Sequence, residues 1–182
     1  IAYAEGEDLR VLRAVQIAVD EGLAKPILVG RTAVIEANIK KLGLRLEHGV
    51  NIEIVDQENN PHYEQFADDY YQTMQRKGVT PEYAQRESRR RSTLIAGMLV
   101  KFGHADGMLC GTYSSYDIHL DFVKNVIGLK EGRSTFFTLN ALMLNDRNLF
   151  IADTYVNTNP TAEQLAEMTI LAAEEVRRFG MT

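Results

Sequence analysis

The run Pro26-Ile27-Leu28-Val29-Gly30 is continuously apolar and too short for a helix. It is expected to be a strand buried on both faces. On its N-terminal side, Asp8 to Glu21 reads as a helix with Leu12, Val15, Ala18 and Val19 on one face and Gly22 just past its end. Ile1 to Ala4 before that helix is a short apolar strand. On the C-terminal side, Ala33 to Leu42 reads as a second helix closed by Gly43, and Ile52 to Val55 as another strand. The order β-α-β-α-β predicts an α/β fold, a parallel sheet flanked by helices.

A more polar, helical stretch follows from Pro61 to Arg91. Inside it, Thr80-Pro81-Glu82 has the signature of a helix start: a capping hydroxyl, a proline at the first helical position, and an acid near the positive helix end. A helix is expected from Thr93 to Phe102 and a buried strand from Ala105 to Cys110. Thr135–Leu144 and Leu149–Asp153 read as a hairpin around Asn145-Asp146-Arg147-Asn148, and Thr161–Phe179 as a helix. The style changes after Gly111, so residues 1–111 are expected to form a first α/β domain and residues 112–182 the start of a second.

The 182 residues are 45% hydrophobic and 25% charged, which suits a globular chain with a real core. A net charge of −5 gives no electrostatic reason to bind nucleic acid or an anionic membrane. There is no apolar run of about 20 residues. The single cysteine, Cys110, has no internal disulfide partner. Ile1, not Met, stands first and no charged leader precedes it, so a segment of a longer cytoplasmic polypeptide without a signal peptide is expected.

Two segments could hold an anion. Arg86, Arg89, Arg90 and Arg91 lie just before Ser92-Thr93 at a helix start. Guanidinium groups bind phosphate oxygens bidentately, and free N–H groups at the helix start add to the attraction. The alternative is a solvated charged face pairing with Glu87 or Glu82. Gly111-Thr112-Tyr113-Ser114-Ser115 follows a strand, where ligands of open α/β sheets bind; it also reads as a capped turn. Cys110 ends an apolar run and reads as packing. His48, His62, His104 and His119 are scattered, without metal-ligand spacing, so no metal site is expected. For Glu5-Gly6-Glu7-Asp8 the favoured reading is an acidic complement to a helix dipole. No Gly-x-Gly-x-x-Gly or Walker loop occurs.

Longer strings carry a resemblance. Glu5-Gly6-Glu7-Asp8, Lys25-Pro26-Ile27-Leu28-Val29-Gly30-Arg31, Met74-Gln75-Arg76-Lys77-Gly78-Val79-Thr80, Ala105-Asp106-Gly107-Met108-Leu109-Cys110-Gly111-Thr112 and Phe150 to Phe179 resemble the phosphate acetyltransferase (phosphotransacetylase) family. They are closest to its branch forming the C-terminal domain of large bacterial NADP-dependent malic enzymes. The resemblance covers essentially the whole chain. It implies an isocitrate/isopropylmalate dehydrogenase-like two-domain architecture, incomplete here at the C-terminus, with the active site in the cleft between the domains. It places important catalytic residues beyond residue 182. Stand-alone transacetylases carry an Arg-Pro pair on the helix after the Gly-Thr loop, and that arginine helps bind the acyl phosphate. Here the place is taken by Asp121-Phe122. Like charges at about 4 Å repel by several kcal/mol at intermediate dielectric, which argues against acetyl phosphate chemistry.

What the resemblance implies is a regulatory and oligomerising domain with acetyl-coenzyme A as effector and no catalytic residue of its own. The expected ligand residues are Arg90, Arg91, Ser92, Thr93, Gly111, Thr112, Ser114 and Ser115. The expected partners are an N-terminal malic enzyme domain and further copies of the chain. NADP and a divalent metal belong to that N-terminal region, and this region carries no cofactor. An active phosphate acetyltransferase and a purely structural assembly module are the alternatives.

Overall fold

The computed structural model describes residues 1–181. They group into two compact units, Ile1–Gly128 and Leu129–Thr182. In the first, β1 (Ala2–Tyr3), β2 (Ile27–Val29), β3 (Glu53–Val55) and β4 (Met108–Leu109) form a parallel sheet in the order β3-β2-β1-β4. The helices are α1 (Leu9–Asp20), α2 (Thr32–Leu42), α3 (Tyr63–Met74), α4 (Pro81–Arg90), α5 (Ser92–Lys101) and α6 (Tyr116–Val126).

Alternation along the strands splits the core into two layers. Tyr3 and Leu28 join Leu12, Val15, Ile35 and Ile39 of α1 and α2. Their neighbours Ala2, Ala4 and Val29 join Phe66, Leu94, Ile95 and Met98 of α3 and α5. Both faces of the Pro26–Gly30 run are therefore covered, as a continuous apolar strand requires. β4 differs from its sequence reading. It is two residues long and lies at the sheet edge, so Leu109 is 56% exposed rather than buried.

The helix boundaries have local causes. Asp8 caps α1 by accepting from the Arg10 N–H at 2.8 Å. Gly43 closes α2 at φ 63°, a left-handed position that suits glycine. Thr80 caps α4 by accepting from the Tyr83 N–H, with Pro81 in its first turn. Gly97 lets α6 approach α5, since a Cβ there would meet Val126 Cγ1 at 3.2 Å. The sequence reading hands over to a second domain after Gly111; in the structure α6 follows that point and packs on α5 inside the first unit.

The second unit holds the antiparallel hairpin β5 (Leu139–Met143) and β6 (Asn148–Ala152) and the helix α7 (Ala162–Arg178). Thr161 and Gln164 form a reciprocal capping box at the start of α7. No described helix is long and apolar enough to cross a membrane.

Candidate functional site

Strand order reverses between β1 and β4. In a parallel sheet that reversal leaves a crevice beyond the carboxyl ends of the two strands, where ligands settle. The crevice is built around Glu5, which follows β1 directly and is only 4% exposed. Its Oε1 accepts from the Gly111 N–H at 3.0 Å and its Oε2 from Thr112 Oγ1 at 3.4 Å. A buried carboxylate needs such donors. Glu5 thereby ties the β1 loop to the loop after β4.

His119 of α6, 8% exposed, completes the tie. Its Nε2 lies 2.7 Å from the Tyr113 carbonyl, which can only accept, so Nε2 carries the hydrogen. Its Nδ1 lies 2.8 Å from Thr93 Oγ1 and 4.0 Å from Glu5 Oε1. One imidazole thus links α5, α6 and the crevice loop.

The acidic loop after β1 has three separate jobs. Glu7 accepts from the Arg31 N–H and Nε at 2.8 Å each and from Nη2 at 2.7 Å. The hydrogen bond from that guanidinium holds the Glu7 carboxyl below its ordinary range. Asp8 caps α1 and pairs with Arg10, whose side-chain hydrogen bonds lower its pKa to about 2. Arg10 Nη2 reaches on to the Thr112 carbonyl at 3.1 Å, a second tie across the crevice. The dipole-complement reading holds for Asp8. Glu5 and Glu7 serve tertiary contacts instead.

Several recesses open here. One, of about 240 Å³, is lined by Glu5, Glu7, Gly30, Arg31, Gln57, Arg90, Ser92 and Tyr113, among others. Another, of about 420 Å³, is lined by Cys110, Gly111, Ser114, Tyr116, His119, Leu120 and Val123. The structure therefore places Arg90 with Ser92, and Gly111 with Ser114. Thr93 is buried against His119 and Thr112 is bound to Glu5. Ser115 precedes α6 without a side-chain bond to that helix. Arg91 lines neither of these; its Nε donates to Glu87 Oε2 at 2.6 Å. Glu87, 3% exposed, also takes Arg86 Nε at 3.3 Å. For Arg91 and Arg86 the observed geometry is the ion pair with Glu87.

Burial, then the nearby Glu5 charge, pushes the Cys110 thiol up to about 11. It is the protonated thiol at neutral pH and a poor nucleophile. The sequence offered Glu87 only as an alternative partner for the arginines, read Glu5 as a helix-dipole complement, and left His119 without a role. An acid placed between an apolar strand and a glycine was the available signal for Glu5. Nothing in the spacing of His119 from Thr93 announces their contact.

The sequence model of the phosphate acetyl/butaryl transferase family matches residues 1–182. An NADP-dependent malic enzyme of Haemophilus influenzae is 51% identical over 181 residues, covering 100% of this chain and 24% of that protein. A phosphate acetyltransferase of Nitratidesulfovibrio vulgaris is 33% identical over 181 residues, covering 100% of this chain and 25% of that protein. The chain thus spans about a quarter of the length of the curated relatives it matches. The crystal structure of a phosphotransacetylase from Streptococcus pyogenes superposes with a TM-score of 0.87 at 27% identity, over 100% of this chain and 54% of that one. The parallel sheet, the family match along its whole length and this superposition agree: the chain belongs to the phosphate acetyl/butaryl transferase family.

Proposed function

We propose that this chain is the phosphotransacetylase-like regulatory and oligomerising domain of a malic enzyme, and that it binds acetyl-coenzyme A without transferring the acetyl group. The higher identity to malic enzymes, 51% against 33% for a phosphate acetyltransferase, supports the parent protein. In that parent, malate oxidation with NADP and a divalent metal belongs to the region outside this chain.

The observation that carries the non-catalytic reading is that the acids, His119 and Cys110 at the crevice are engaged within the fold. Glu5 holds Gly111 and Thr112, Glu7 holds Arg31, and Asp8 holds Arg10. His119 uses both ring nitrogens, and Cys110 stays protonated. What remains is equipment for holding an anion: Arg90, Ser92 and the N–H groups opening α5. Asp121, exposed on α6, adds a negative charge where the resemblance implies a phosphate-binding arginine. The exposed apolar residues Leu142, Met143, Leu149 and Ile151 on the β5–β6 hairpin support an assembly surface for a second subunit.

Family membership and the 33% identity to a phosphate acetyltransferase favour a second reading, an active transacetylase. Assaying the full-length polypeptide for acetyl-coenzyme A formation from acetyl phosphate and coenzyme A separates the two. The proposal expects background rates. Turnover of about 10 per second, ordinary for an enzyme, establishes the second reading instead.

A further inference from the structure

We propose that the exposed face of α4 is the seat for the phosphate groups of coenzyme A, in a groove that opens next to the strand-end crevice. The groove holds about 350 Å³ and is lined by Tyr63, Glu82, Gln85, Arg86, Arg89 and Arg90. This rests on the reading that the chain binds acetyl-coenzyme A and gives that ligand its anchoring end.

Positions 86, 89 and 90 fall on one side of a helix, at spacings of three and four. Two of the guanidinium groups are braced on aromatic rings. Arg89 lies 4.1 Å from the centre of the Tyr63 ring and Arg86 lies 4.9 Å from that of Tyr83. The Tyr63 hydroxyl donates to the Gln85 carbonyl at 3.2 Å, which fixes the ring beneath Arg89. A guanidinium stacked on a ring keeps its in-plane N–H edge free for phosphate oxygens, with less entropy left to lose. Arg86 gives only Nε to Glu87, so its terminal nitrogens remain.

Charge accounting points the same way. Elsewhere around the crevice the guanidinium groups are matched by acids: Arg31 by Glu7, Arg10 by Asp8, Arg91 by Glu87. The groove carries three guanidinium groups against the lining carboxylate of Glu82 and that of Glu87, which Arg86 shares with Arg91, in a chain whose net charge is −5. Arg86 and Arg90 also stand four residues apart, a like-charge pair that costs helix stability and that a bound anion relieves. Complementing the dipole at the end of α4 accounts for Arg89 and Arg90 in the last turn. It accounts neither for Arg86, one turn earlier, nor for the aromatic bracing.

Arg90 supplies the continuity. Among the described residues it has no acidic or ring partner, and it lines both the groove and the 240 Å³ recess with Ser92 and Tyr113. A ligand with a polyanionic head and a long uncharged tail fits that path. The head lies on α4, and the tail passes Arg90 into the crevice.

The test is calorimetry on the full-length polypeptide with coenzyme A, dephospho-coenzyme A and inorganic pyrophosphate as separate probes. The variants are Arg86→Gln with Arg89→Gln, and Arg89→Lys alone. Circular dichroism checks the fold, which these exposed positions leave intact. Coenzyme A is expected to lose at least about tenfold in affinity with the double variant. Arg89→Lys keeps the charge and is expected to lose less. Dephospho-coenzyme A should bind the wild type more weakly than coenzyme A, and binding should weaken as salt rises. Equal affinity of wild type and double variant for coenzyme A places its phosphates elsewhere and overturns the inference, with the acetyl-coenzyme A reading intact. Arginine-dependent binding of pyrophosphate without binding of coenzyme A keeps the anion seat and overturns that reading. Binding of none of the probes overturns both.

Discussion

Replacing Gly6 by Ala tests how tightly the crevice loop is held to the sheet. A Cβ at this position would lie 2.8 Å from the Val29 carbonyl oxygen, 2.9 Å from Leu28 Cβ and 3.1 Å from the Val29 nitrogen. These atoms belong to β2, which is paired on both sides, so none can move alone. The Gly6 N–H also donates to the Val29 carbonyl at 3.0 Å and fixes the approach. Overpacking of this kind costs about 1–3 kcal/mol. For a chain of this size each kcal/mol lowers the melting temperature by about 2–4 °C, so a fall of about 2–12 °C is expected for Gly6→Ala. Circular dichroism at a helix wavelength measures it. Gly43→Asn is the control: Gly43 has φ 63° with nothing within 4 Å of a Cβ, and Asn tolerates that conformation. A melting temperature for Gly6→Ala equal to that of wild type refutes the close approach of the loop to β2.

The Asp8 carboxyl, lowered to about 2 by Arg10, contributes stability that is present above its ordinary value of 3.8 and lost as the pH falls from there towards 2. Arg10→Gln should raise that pKa towards the ordinary value in a carboxyl-carbon NMR titration, and no change would remove Arg10 as the cause. Cys110, at about 11 against an ordinary 9.0, should react with iodoacetamide at pH 8 much more slowly in the native chain than in urea. Because the folded thiol keeps its proton longer than the unfolded one, urea midpoints should also fall between pH 9 and 11.

The β-α-β-α-β order was legible because it rests on short-range signals. A five-residue apolar run, Gly43 past a periodic stretch, and Thr80-Pro81 each carry their own cause of starting or stopping an element. The hairpin and α7 were legible for the same reason. Two things were not. The exposure of Leu109 depends on β4 having no neighbour on one side, and strand order is not written in a strand's own residues. Residues 116–126 were not read from their own periodicity as a helix, although α6 carries the buried His119. The site residues divide in the same way. Arg90, Ser92, Gly111 and Ser114 line recesses near a helix start and a strand end. Arg91 is turned aside by Glu87, a partner four residues back that the sequence offered only as an alternative.

The central claim is that this fold senses acetyl-coenzyme A on behalf of a malic enzyme. A ligand changes activity at a separate site only if it binds two states of the protein unequally, and couplings of about 1–3 kcal/mol are typical. The direct measurement is malate oxidation by the full-length enzyme, with and without this domain, while acetyl-coenzyme A is titrated. The account predicts that acetyl-coenzyme A shifts the rate of malate oxidation by the intact enzyme, and that the shortened enzyme, soluble and active, no longer responds. An unchanged response after removal of the domain contradicts the account and leaves this chain a scaffold.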